Sequence, residues 1–183
     1  MNSEQAAAQV IEQLERLQIE YMLVGAFSSN IYGIPRSTKD ADIVVAFDTM
    51  QISEFCKQLG PDFQLDRQMM IEGFTGSVRN VVRFKPTDFD IEFFRLGDDA
   101  HHQQRFQRRI RHRISDLDIE AWVPTAEDVV IQKLRWARRK DLDDVVNVLS
   151  VSSETLDWNY IRNWTDQHGT TDLLDQLREE AGI

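Results

Sequence analysis

The stretch Asp40-Ala41-Asp42-Ile43-Val44-Val45 places two carboxylates two residues apart at the head of an apolar run. On a strand such residues point to the same face, close enough to share one hard cation, and Mg²⁺ is the natural guest for oxygen donors of this kind. Acids also alternate on solvated strand edges without any function, so the pair needs company before it means chemistry. Upstream, Tyr21-Met22-Leu23-Val24 is a short apolar run that stops at Gly25-Ala26 and opens a helical pattern. A helix start leaves free backbone N–H groups where a phosphate chain can sit, and glycine lets it approach the backbone. Downstream, Asp88, Asp90 and Glu92 share one face of a second predicted strand, which can supply a third carboxylate. Such a cage holds two divalent ions, which clamp a triphosphate, activate an attacking hydroxyl and stabilise departing pyrophosphate in an in-line displacement.

The elements that must position these residues are legible from periodicity. Val10, Ile11, Leu14 and Leu17 recur at helical spacing and predict an amphipathic helix starting near Ser3. The apolar run over 21–24 predicts a buried strand, 26–32 a helix, 33–39 a loop carrying Gly33 and Pro35, and 40–47 the acid-bearing strand. Met50, Ile52, Phe55, Cys56 and Leu59 predict a helix over 49–59, capped by Asp48 or Thr49 and stopped by Gly60-Pro61. Turns at Gly73 and Gly76 precede strands over 77–84 and 88–94, joined as a hairpin across Lys85-Pro86-Thr87. The basic stretch 101–113 predicts a helix, and 117–123 alternates like one more strand. From Pro124 onward every pattern is helical: Thr125 and Asp128 form a capping pattern before the face of Val129, Val130, Leu134 and Ala137, and further helices are predicted over 142–149, 158–164 and 173–177. The expected organisation is an α/β core over 1–123 and a helical part over 124–183 packed on it, without a flexible linker.

Taken together, Gly25-Ala26, a helix, and then Gly33-Ile34-Pro35-Arg36-Ser37-Thr38-Lys39-Asp40-Ala41-Asp42 resemble the nucleotidyltransferase signature of the DNA polymerase beta superfamily. The stretch is most similar to small bacterial branches that include antibiotic nucleotidyltransferases and the AbiEii-type toxins of toxin-antitoxin systems. Glu127-Asp128-Val129-Val130-Ile131-Gln132-Lys133-Leu134, followed by Lys140-Asp141-Leu142-Asp143-Asp144, is similar to a helical segment of the same branch, so the resemblance spans residues 21–149. It implies an α/β (α+β) nucleotidyltransferase fold, a small mixed sheet flanked by helices, with the helical part closing over a nucleotide. It implies Asp40, Asp42 and Asp90 as catalytic metal ligands for Mg²⁺, Asp90 being favoured over Glu92 because the family places that acid before apolar residues. Gly25 and Ala26 would contact phosphate through the backbone, with Arg36, Lys133 and Asp141 also lining the nucleotide site. Ala26 departs from the family's Gly-Ser or Gly-Gly pair, keeping the backbone donor and losing any hydroxyl. The implied reaction moves a nucleoside monophosphate from an NTP such as ATP to an acceptor hydroxyl on protein, RNA or a small molecule, and a toxin role would bring an antitoxin partner. The competing reading is a non-catalytic nucleotide-binding or protein-interaction module on the same fold.

Composition sets limits on partners. With 21 Lys and Arg against 31 Asp and Glu over 183 residues, the net charge of −10 argues against simple coating of nucleic acid or an anionic membrane. Arg105, Arg108, Arg109, Arg111 and Arg113 nevertheless form one basic run, and Arg135, Arg138, Arg139 and Lys140 a second. These could funnel a triphosphate; RNA is not favoured, because no stacking aromatics interleave with the charge. The single Cys56 reads as a small buried hydrophobe, adjacent His101 and His102 point apart on a helix and make a zinc site improbable, and the four tryptophans read as core and docking residues. No run approaches a membrane span and no basic leader opens the sequence, so a reducing cytoplasm is the expected compartment.

Overall fold

The computed structural model describes residues 1–46, 49–66, 70–71 and 78–183. Helix α1 (Ser3–Arg16) starts at a capping box, in which the Asn2 side chain accepts from the Gln5 N–H and the Gln5 side chain accepts from the Asn2 N–H. Its apolar stripe of Ala6, Ala7, Val10, Ile11 and Leu14 is buried. Strand β1 (Tyr21–Val24) is buried at every position, α2 (Gly25–Tyr32) follows without a linker, and β2 (Asp40–Val45) comes after the loop. Helix α3 (Thr49–Leu59), β3 (Phe63–Leu65), β4 (Met70–Ile71), β5 (Val78–Phe84) and β6 (Phe89–Arg95) complete the sheet segment. The expected cap at Asp48 or Thr49, the end of β2 at Phe47 and the turns at Gly73 and Gly76 lie outside what is described.

The six-stranded sheet runs β1-β2-β6-β5-β3, with β4 also on β5. It is mixed: β2 is parallel to β6, while β1 is antiparallel to β2 and β5 antiparallel to β6. The alternation of β2 decides its two faces. Ala41, Ile43 and Val45 join the main core with Tyr21, Leu23, Ile91 and Phe93 under α1 and α3. Asp40, Asp42 and Val44 look the other way, where Val44 packs with Met22, Val24 and Phe106, while the two acids keep some solvent contact.

Two expectations are corrected. The basic stretch 101–113 is not one helix: α4 (Ala100–Gln107) ends and β7 (Ile110–Ile114) pairs antiparallel with β8 (Ile119–Val123). Cross-strand pairing and ion pairs override the helical look of a polar run. Asp88 is not on β6 but in the hairpin turn, at φ 51°, so it leaves the strand's acid face.

The remaining chain forms α5 (Ala126–Trp136), α6 (Arg139–Ser152), a short 3₁₀ turn, α7 (Trp158–His168) and α8 (Thr171–Ala181). Thr125 caps α5 by accepting from the Asp128 N–H, as its spacing predicts. Val130, Ile131, Leu134, Val145, Val148, Ile161 and Leu174 build a second apolar cluster among these helices. Among the described residues no helix is long and apolar enough to cross a membrane.

Candidate active site

The parallel register of β2 and β6 sets Asp40 level with Asp90 and Asp42 level with Glu92, so all four acids share one face. Neither β6 acid is free. Arg83, opposite Asp90 on β5, donates to it through two nitrogens at 2.7 and 2.9 Å, and Arg79 donates to Glu92 at 2.8 Å. Thr38 donates to the Asp40 carboxylate at 2.7 Å. Asp42 is the most loaded position: burial, then the negative charges of Asp40 and Glu92, push its pKa up to about 7, against partial relief from Lys133 and Lys140. A carboxylate crowded by like charges is relieved by a hard divalent cation, so the donor chemistry of Asp40 and Asp42 fits one. Among the described residues no three His, Cys, Asp or Glu side chains are already gathered as a metal site, since the β6 acids face arginines.

Gly25 is held against this pair. At φ 67° it has a left-handed conformation, and a Cβ there would lie 2.0 Å from Asp42 Oδ2. The N-terminus of α2 therefore opens directly beside the acids, with no side chain capping it. Loop 33–39 is pinned from the same helix: the Asn30 amide donates to the Arg36 carbonyl, and the Arg36 N–H donates to the Asn30 side chain. Gly33 lets α2 end against α6, since a Cβ there would meet the Asn147 backbone at 2.9 Å.

Lys133 and Asp141, expected at the nucleotide, meet each other. The buried Lys133 ammonium donates to Asp141 at 3.1 Å and to Asp144 at 2.7 Å. Arg36 binds Asp144 through Nε and Nη2 at 2.7 and 3.0 Å, and Arg138 binds Asp141 at 2.6 Å. Burial would raise the Asp144 pKa, but hydrogen bonds from Arg36 and Lys133 and their charges hold it below the usual range. This network ties the loop before Asp40 to α5 and α6, and its positive charge reaches Asp42.

The two basic runs are largely neutralised within the fold. Arg109 pairs with Glu20, Arg111 with Glu15, Arg113 with Asp118, Arg135 with Asp99 and Arg108 with Asp128. Trp122 lies beneath Arg109 and Arg111, and Trp164 packs against His101 and His168. His101 and His102 are both buried, with His101 Nε2 3.2 Å from Asp128, and Cys56 is buried. The spacing-based reading does not single out Arg79 or Arg83, because cross-strand partners exist only in the folded chain, and it places Lys140 in the second basic run without its influence on Asp42. A cleft of about 370 Å³ is lined by Gln64, Leu65, Asp66, Val81 and Arg83, the arginine that holds Asp90, and another of about 320 Å³ lies along Asn30, Arg36, Ser37, Thr38 and Phe89.

Solved nucleotidyltransferase and nucleotidyltransferase-like structures share this fold. An antigenic nucleotidyltransferase-like protein from Paracoccidioides brasiliensis superposes with a TM-score of 0.58 at 16% identity, covering 97% of this chain and 92% of that one. The antibiotic-resistance factor ANT(2'')-Ia superposes with a TM-score of 0.59 at 8% identity, covering 98% and 99%. Its complex with adenylyl-2''-tobramycin gives 0.56 at 9% identity, covering 87% and 92%. The chain itself belongs to a family described as nucleotidyltransferase of unknown function (DUF6036), whose model matches residues 2–180. No curated protein sequence matches it.

Proposed function

We propose that this protein is a metal-dependent nucleotidyltransferase that moves a nucleoside monophosphate from an NTP to an acceptor hydroxyl. The observation that carries the reading is the crowded acid pair Asp40 and Asp42 pressed against the uncapped start of α2 at Gly25. Asp40 and Asp42 would hold Mg²⁺, with a third carboxylate from β6. The resemblance selects Asp90, whereas the charge felt by Asp42 favours Glu92 as that ligand and leaves Asp90 at the acceptor side, beside the cleft at Arg83. When bound, the metal neutralises charge on the triphosphate and lowers the pKa of the attacking hydroxyl.

The chain's own groups do the rest. The amides of Gly25 and Ala26 receive phosphate oxygens, Lys133 lends positive charge from beneath with Asp141 fixing its ammonium, and Arg36 holds the loop that carries Asp40. The acceptor oxygen bonds to the α-phosphorus, the bond from that phosphorus to the bridging oxygen breaks, and pyrophosphate leaves. The hydroxyl proton passes to a nearby carboxylate, a role we assign to Asp90. The helical part over 124–183 closes this side of the nucleotide. ANT(2'')-Ia has been solved with an adenylylated aminoglycoside, the kind of product this reaction yields.

The test is transfer of label from [α-³²P]NTPs with Mg²⁺ into the protein, RNA and small-molecule fractions of a cell lysate. Asp42→Asn is expected to abolish transfer while the thermal unfolding transition remains. Transfer undiminished in Asp42→Asn would refute the assignment, and NTP binding without transfer to any fraction would establish a non-catalytic module instead. An acceptor recovered as a cellular protein or RNA would support a toxin role with an antitoxin partner.

A further inference from the structure

Arg105 on α4 is a charged group left alone in the interior. It is 5% exposed, its Nε has no hydrogen-bond partner, and among the described residues no carboxylate pairs with it. Buried guanidinium groups are ordinarily paired. The acids whose charge reaches it are already engaged: Asp128 by His101, Arg108, Thr125 and Tyr160, and Asp99 by Arg135 and the His102 N–H. Burial pushes the Arg105 pKa down to about 10.

Two small cavities meet at this side chain. One, of about 20 Å³, lies on the acid-bearing face of the sheet against Val44, Phe94 and His102. The other, of about 10 Å³, lies against Gly25, Ser28, Gln132 and Lys133. Val24, Arg105 and Trp136 line both. Around them Gln132 Nε2 and Oε1, Trp136 Nε1 and His102 Nε2 also lack hydrogen-bond partners, although Gln132 is only 3% exposed. The second cavity reaches the first residue of α2, which has no side-chain cap. The set is dominated by donors: a guanidinium, an indole N–H, an amide NH₂ and helix-end N–H groups, with an ammonium alongside. Such a set is satisfied by an acceptor-rich anion, and Gly25 puts it one residue from the acid pair.

We propose that Arg105, Gln132 and Trp136 form an inner seat for the terminal phosphate of the nucleotide, with Arg105 as its counter-ion. The seat rests on the nucleotidyltransferase reading and deepens it. Each cavity has room for about one water, so seating a phosphate requires Arg105 and Trp136, which line both, to rotate and join the two.

Calorimetric titration of the full chain with ATP, pyrophosphate, orthophosphate and AMP, each with Mg²⁺, tests this. In Arg105→Met, ATP and pyrophosphate should bind at least about tenfold more weakly, as loss of a charge-assisted contact predicts, while AMP changes by less than about twofold. Arg105→Lys should recover part of the loss, and Gln132→Leu should weaken ATP and spare AMP. Circular dichroism establishes folding, and where Arg105→Met does not fold, Arg105→Lys and Gln132→Leu carry the same comparison. Pyrophosphate or orthophosphate binding that depends on Arg105, in a protein that takes no ATP, keeps the seat and overturns the nucleotidyltransferase reading. ATP binding indifferent to these variants, an equal loss for AMP, or no phosphate-bearing probe binding at all overturns the seat.

Discussion

Gly25 and Asp42 show how far one atom can decide a site. Alanine at position 25 would put its Cβ 2.0 Å from Asp42 Oδ2, on a backbone at φ 67° that side chains rarely adopt. Either the carboxylate moves or the helix start does. Gly25→Ala is therefore expected to abolish Mg²⁺-dependent transfer and to lower stability by about 1–3 kcal/mol, measured by urea unfolding; wild-type transfer rates would show that the contact is dispensable. The β6 acids offer a ranking. Glu92 stands level with Asp42 and contributes to the charge there, whereas Asp90 stands level with Asp40 and is held by two bonds from Arg83. Mg²⁺ titration should show a larger loss of affinity in Glu92→Gln than in Asp90→Asn, and the reverse order would return the third metal ligand to Asp90. Spacing alone does not separate them, because residues two apart on a strand share a face, and the preference for Asp90 came from the resemblance; register and opposing arginines are what distinguish the two in the fold. That Asp40 and Asp42 share one face beside Gly25 was legible from their spacing and the strand's end. The partners of Lys133 and Asp141 were not, since their meeting depends on the corner between α5 and α6.

That corner turns on Ala137, the left-handed residue at φ 50° that ends α5 one residue before the N-cap of α6. Its N–H closes the helix by donating to the Lys133 carbonyl, so the strained backbone sits on the lysine that holds Asp141 and Asp144. Ala137→Gly should relieve the Cβ penalty and raise stability by about 0.5–1 kcal/mol, visible as a rise of a few degrees in Tm. A lower Tm would mean that the Ala137 methyl packs more than it strains. Most elements could be read from periodicity because their apolar stripes are regular: α1 in the core under the sheet, α5 and α6 in the helical cluster. The stretch 101–113 misled for a physical reason. Exposed Arg111 and Arg113 carry no apolar period, and β7 exists because β8 is there to pair with it, from Ile110 opposite Val123 to Ile114 opposite Ile119. Short strand β4 is equally a product of β5, with two paired residues and no pattern of its own.

Across the whole molecule, positive charge is more concentrated than the net charge of −10 conveys. The arginines of both basic runs are mostly spent on ion pairs, yet where α4, α5 and α7 meet, His101, His102 and His168 lie among Arg105 and Arg135. Burial, then the charge of Arg105, holds His102 down to about 4, with Arg135 and His101 acting the same way and Asp99 opposing; burial and Arg135 hold His168 near the same value. The consequence for stability has a definite sign. Above the ordinary histidine pKa of about 6.5 both states are neutral and nothing is lost. As pH falls from there toward 4, the unfolded chain takes up protons that the folded chain refuses, so stability declines across that window and levels off below it. Asp42 works in the opposite direction, because its raised pKa makes the folded state the better proton binder between about 4 and 7. Comparing a histidine variant with wild type at each pH cancels that contribution. His102→Phe, whose ring suits the apolar wall of Val44 and Phe94, should lose less stability than wild type between pH 6.5 and 4, by at most about 3 kcal/mol at about 1.4 kcal/mol per pKa unit. Urea unfolding at half-unit pH steps reads the difference directly. Parallel pH profiles for the two proteins would mean that His102 titrates as freely in the folded chain as in the unfolded one, and that the buried positive cluster does not control it.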